Sequence, residues 1–171
     1  MSRQSIKKSN RRYHRAQRIK KIRKHLEDDG RFLQLKNFNH HGATSVHTHV
    51  VNVAWWAHRL ADLLPAKTDR ESLVRGALLH DYFLYDWHDN HGHSPHGFTH
   101  PRTALNNAKD DFDLNEKESD IILSHMWPLT IRPPKYRESW LVTIADKIAT
   151  FEETLGKRKS KKYRHPKTSG K

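Results

Sequence analysis

The sequence predicts an all-α fold: one helical bundle carrying basic extensions at both ends. Three observations predict it. Apolar residues recur at helical spacing in nearly every segment, long runs of alternating apolar and polar residues are missing, and the breakers fall between the periodic stretches. At 171 residues the chain fits one domain with a real core.

The elements follow in order. Within residues 1–30, Ile6, Ile19, Ile22 and Leu26 make a thin apolar stripe on an otherwise basic helix, which is expected to dock weakly on the body. "RFLQLKNF" after Gly30 reads as a short helix and "NHHG" as a breaker. Residues 44–64 form the first strong core helix, capped by Thr44 or Ser45 and ended by Pro65, with the stripe Val46, Val50, Val53, Trp56, Leu60 and Leu64. A second starts near Asp69, where "DRES" resembles a capping arrangement, and runs through Leu73, Ala77 and Leu78 to Leu84. "DWHDNHGHSPHGFTHPR" is a loop, after which Pro101 suits the first position of a helix over 103–109. "NEKESDIILSHMW" is a helix begun at Asn115 and ended by Pro128, and residues 137–155 make the last core helix, stopped by Gly156. The predicted organisation is an N-terminal extension over 1–30, a helical domain over 31–156 and a flexible tail over 157–171.

The net charge of +13 is unevenly divided. Residues 1–25 hold 11 Lys/Arg and 156–171 hold 8, neither with an acid, so the middle of the chain carries a net charge of about −6. The absence of cysteine excludes disulfides, thiolate metal sites and a cysteine nucleophile, so any metal must use His, Asp or Glu. The apolar runs fall short of a membrane span of ~20 residues, and the basic start lacks the apolar stretch of a signal peptide. The expectation is a cytoplasmic protein without membrane contact.

Polar residues interrupt the apolar stripes on four separate helices. His49 shares a face with Val46, Val53 and Trp56; His80 and Asp81 stand in "ALLHDYFLYDWH" with Leu73, Ala77 and Leu84; His125 follows Ile121 and Ile122; Asp146 sits among Val142, Ala145 and Ala149. Taken singly, a buried His is more often a hydrogen-bonded core residue than a ligand, and Asp146 has Lys147 beside it. Together they are hard to explain one by one. Burying two carboxylates costs several kcal/mol each unless a cation lies between them. Imidazole and carboxylate donors suit divalent Fe, Mn, Co or Zn.

The order His49, then "HD" at His80 and Asp81, then Asp146 in "ADKIA" resembles the signature of the HD-domain superfamily of metal-dependent phosphohydrolases, over residues 44–155. His100 in "THPRTALNNA" and His125 in "DIILSHMWPL" resemble the further ligands of HD proteins that hold two metals. The chain is also similar to bacterial HD enzymes that split diadenosine tetraphosphate, with "YFLYDW" where those have a lysine after the HD pair. The resemblance implies an HD-domain bundle binding two divalent ions through His49, His80, Asp81, His100, His125 and Asp146. Asp81 would bridge the ions, and catalysis would rest on His80 and Asp81. It implies hydrolysis of a nucleotide or another small phosphate ester or anhydride by a metal-activated water.

Such chemistry needs cations to hold the phosphate oxygens. Arg102, Arg137 and Lys147 are the candidates, with Arg102 first because it follows His100 near a helix start; each is equally an ordinary surface residue. His88, His91, His93 and His96 are expected in a loop over the mouth of the site. His40, His41 and His47 are expected at the surface, although one could face the cavity. The five tryptophans are expected mostly in the core, with Trp87 and Trp127 flanking the site. The tails permit non-specific RNA contact but offer no stacking platform. The alternative is a non-catalytic HD metal-binding module whose tails bind RNA or ribosomes.

Overall fold

Three helices begin where a side chain takes up one of their first free N–H groups. In a computed structural model of the chain, which describes residues 3–40, 44–86 and 96–163, with side chains over 9–40, 44–86 and 96–155, Ser45 accepts the Thr48 N–H at the start of α2 (Val46–Ala61). Asp69 accepts the Ser72 N–H before α3 (Arg70–Leu79). Asn115 and Glu118 form a reciprocal capping box before α5 (Glu116–Ser124). With α1 (Arg3–Asp29), a 3-10 helix over Phe32–Asn37, α4 (His96–Asp111) and α6 (Arg137–Tyr163), the described residues contain helices and no strand. An isolated bridge pairs Asn39 with Ser45. The chain is all-α, as its periodicity predicts.

α2 is the centre of the bundle. It packs against α6 and α3, while α5 closes the opposite side against α3, α4 and α6. The buried face of α2 is Val46, His49, Val50, Val53, Ala54, Ala57 and Ala61, while the expected Trp56 and Leu60 pack partly buried against the core and Leu64 does not. Leu64 is 43% exposed because the helix ends at Ala61. Arg70 donates to the carbonyls of His58 and Ala61 there, satisfying the last turn. α3 and α5 are in close contact at Gly76, where a Cβ would lie 2.5 Å from Ile121 Cδ1.

Several boundaries differ from expectation. α1 docks firmly rather than weakly: Ile19, Ile22 and Leu26 are buried, at roughly 2 kcal/mol each, and the buried Arg15 pairs with Asp62 at 2.7 Å beneath the Trp55 ring. The apolar burial outweighs the ion pair, which contributes about 1 kcal/mol. α3 stops at Leu79 instead of Leu84, and Leu84 takes a left-handed φ of 56° that breaks any helix. Pro101 lies inside α4, which begins at His96. α6 continues through Gly156 to Tyr163. No helix of the described residues is long and apolar enough to cross a membrane.

Candidate metal centre

The early ends of α3 and α5 place two histidines. His80 caps α3 and His125 caps α5, and each turns its Nδ1–H back onto a carbonyl of its own last turn, Ala77 O and Ile122 O, both at 2.8 Å. His100, in α4, does the same with His96 O at 2.8 Å. A neutral imidazole that donates through Nδ1 has its lone pair on Nε2. Three buried rings are thus locked by backbone in the form a metal requires.

All three point at Asp81, which follows His80 directly. Its Oδ1 lies 3.3 Å from His100 Nε2 and 3.4 Å from His125 Nε2. Its Oδ2 lies 3.5 Å from His80 Nε2, 3.9 Å from His49 Nε2 and 3.6 Å from His40 Nε2. From α6, Asp146 Oδ1 approaches His49 Nε2 at 3.1 Å and His80 Nε2 at 3.9 Å. The structure brings together all six residues singled out from the sequence: His49, His80, Asp81, His100, His125 and Asp146.

Two observations test whether these residues fit a metal. The buried Nε2 of His80 has no hydrogen-bond partner, although it points at carboxylate oxygens. His100 Nε2 and His125 Nε2 are 2.8 Å apart while both Nδ1 atoms are committed to carbonyls. Two lone pairs repel at that separation unless a cation, either a proton or a metal ion, is shared between them. His49 with His80 and Asp81, and Asp81 with His100 and His125, form two groups whose donor atoms converge closely enough to hold an ion. The donor set fits.

The electrostatics agree. Burial pushes His80 down to about 4, so it is neutral at pH 7 with its lone pair available. Burial also opposes charge on His49, but Asp146 and Glu153 outweigh it and raise that ring to about 10. Asp81 stays well below the carboxylate range despite burial, held there by His80, His100 and His125. Positive charge is demanded between the carboxylates, whether a proton or a metal supplies it.

A cavity of about 690 Å³ opens over the cluster, lined by Asp81, His100, His125 and Asp146, with Met126 and Phe151 as apolar walls. Of the three phosphate-binding candidates, Lys147 stands at its mouth, half exposed, with Nζ 3.3 Å from His125 O and 3.6 Å from Asp146 Oδ2. Arg102 is exposed and does not line the cavity. Arg137 donates to Lys67 O at 3.2 Å, nine residues before Asp146 on α6, or about 13 Å along the axis. Neither arginine is brought to the site.

Other placements differ from expectation. His40 is a half-buried lining residue, and His47 faces Glu27 at 3.4 Å. His96 belongs to α4 and not to a loop; it lines the cavity, with Nδ1 2.8 Å from Tyr85 Oη and its ring stacked on His100. Trp127 and Trp140 pack edge to face at 4.9 Å, with Trp140 38% exposed. Trp87, His88, His91, His93 and His41 lie outside the described residues. Glu153, unremarked in the sequence, accepts from His49 Nδ1 at 3.2 Å and from Asn52 Nδ2 at 2.9 Å. Its signal was its place seven residues after Asp146, on the same face of α6.

An all-helical bundle with a buried His/Asp cluster able to hold divalent metal defines the class. Residues 46–150 match the HD domain, and the chain belongs to that family. The HD domain places it in a superfamily of metal-dependent phosphohydrolases. No curated protein and no solved structure matches the chain.

Proposed function

We propose that the protein hydrolyses a small phosphate ester or anhydride, a nucleotide among the candidates, with His49, His80, Asp81, His100, His125 and Asp146 holding two divalent ions. The observation that carries this reading is the division of partners at Asp81, where Oδ1 faces His100 and His125 while Oδ2 faces His49 and His80. A carboxylate with a separate imidazole pair on each oxygen is suited to bridge two cations. Ions of the Fe, Mn, Co or Zn type supply Lewis acidity toward the phosphoryl oxygen and bring the pKa of water toward neutrality.

The chain's own residues do the rest. The backbone-locked rings of His80, His100 and His125 keep their donor atoms fixed, so little reorganisation is needed during reaction. Asp81 and Asp146 set the negative charge that holds the cations. Lys147, at the mouth, is the remaining candidate to bind the phosphate oxygens. In the reaction a water oxygen bonds to phosphorus as the bond to the leaving oxygen breaks, and that oxygen departs with the electron pair and takes a proton. No nucleophilic side chain is required.

The test combines two measurements. Elemental analysis of protein purified without added metal or chelator is expected to find about two transition-metal ions per chain. Asp81→Ala is expected to abolish hydrolysis across a panel of nucleotides and dinucleotide polyphosphates while the far-ultraviolet circular dichroism stays helical. Unchanged turnover in that variant would sink the reading.

A further inference from the structure

One histidine at the cluster belongs to neither the H…HD…H…H…D pattern nor any helix. His40 precedes α2 on the turn closed by the Asn39–Ser45 bridge, with its N–H donating to Thr44 O at 2.8 Å and Val46 N–H donating to Phe38 O at 2.9 Å. Those bonds fix the backbone on both sides of the turn. The His40 ring lies on the His49 ring with centroids 3.5 Å apart and planes 16° from parallel.

The two rings are stacked in the same sense. Both Nδ1 atoms face Glu153 Oε2, at 3.6 Å from His40 and 3.2 Å from His49. Both Nε2 atoms face Asp81 Oδ2, at 3.6 and 3.9 Å. Glu153 Oε2 therefore accepts from His49 Nδ1 and lies at ion-pair distance from His40 Nδ1, while the Nε2 atoms of both rings turn toward one oxygen of Asp81. A carboxylate that orients a ligand histidine is a common support of metal sites; here one carboxylate holds His49 and faces His40. Asn52 donates to the other oxygen of Glu153 at 2.9 Å, which fixes the carboxylate in turn.

We propose that His40 is an additional metal ligand on the Asp81 Oδ2 side of the centre, and that Glu153 is the positioning residue shared by His40 and His49. This rests on the two-ion reading above. It adds a ligand from a turn that precedes the residues matched to the family. The Oδ2 side is then richer in nitrogen donors than the Oδ1 side, and one of those donors comes from outside the helices.

The experiment is metal titration of chelator-stripped protein with Co(II), followed by calorimetry and by the visible absorption of the bound ion, which reports coordination number. His40→Ala is expected to weaken one of two Co(II) sites by about 10–100-fold, leave the other within twofold, and change the absorption of the weakened site. Glu153→Gln is expected to weaken that same site by a smaller factor without removing a donor atom. His40 lies outside the helices, so circular dichroism should be unchanged; if His40→Ala nevertheless misfolds, His40→Gln, which keeps a polar side chain, gives the same readout. Two Co(II) ions bound by the wild-type chain, with affinities and absorption unchanged in His40→Ala, overturn the inference alone. A wild-type chain that binds no Co(II) overturns the two-ion reading and the inference with it.

Discussion

Asp81 and Asp120 are the same residue type at nearly the same burial, 4% and 3% exposed, yet their surroundings differ in kind. Asp120 is complete: Ser139 Oγ donates to it at 2.7 Å, the Lys135 N–H at 2.9 Å and Arg132 at 3.4 Å. Asp81 faces imidazole nitrogens whose hydrogens are turned away toward carbonyls or Glu153. A buried carboxylate by itself says nothing about metal. The difference lies in whether the chain supplies hydrogens or lone pairs to it, because lone pairs around a carboxylate are stable only with a cation among them.

Substitutions sharpen that contrast. Asp81→Asn, which keeps the shape, is expected to lower turnover by at least about 100-fold and to reduce bound metal by elemental analysis, with the helical circular dichroism retained. Asp120→Ala is expected to do the reverse. It strands the buried Ser139 hydroxyl and the Lys135 N–H, lowering unfolding stability by about 2–3 kcal/mol in urea titrations, while metal content stays at the wild-type value. Equal metal loss in both variants would break the distinction.

Lys147→Ala tests the mouth of the cavity and should raise KM by about tenfold, the worth of one charge-assisted hydrogen bond. Arg102→Ala and Arg137→Ala should leave KM within twofold. The smallest effect belongs to the periphery. Asp62, between Arg15 and Arg70, is held below its ordinary value of 3.8: burial opposes this, but Arg15, His58 and Arg70 prevail. A depressed carboxylate contributes stability that is complete above that ordinary value and is lost as pH falls through the lowered one. Asp62→Asn should therefore flatten slightly the acid limb of the stability profile, read by thermal melts from pH 7 to 3, without changing metal content.

The contrast also explains how much was legible in the sequence. His49, His80, His125 and Asp146 were visible because each interrupts an apolar stripe, and Asp81 because it adjoins His80. His100 became visible through family resemblance. Glu153 was hidden because "FEETL" reads as the solvated end of a helix, and His40 because "NHHG" reads as a breaker; both reach the site through tertiary contacts that no local period records. Arg137 was misjudged because sharing a helix with Asp146 says nothing about position along its axis. The ends of α3 and α4 were misplaced for a related reason. His80 and Pro101 break local rules, and their positions depend on the contacts of the site and not on propensity.

The two histidines that cap α3 and α5 have one more consequence. The last turn of a helix carries the negative end of its dipole, roughly half an elementary charge, and here two such ends meet the cluster, with Ala77 O and Ile122 O accepting from His80 and His125. The backbone thus adds negative potential to that of Asp81 and Asp146. An anion approaching this floor is repelled until positive charge has been installed, whereas a cation is drawn in. On the two-ion reading, metal would therefore enter first and phosphate second.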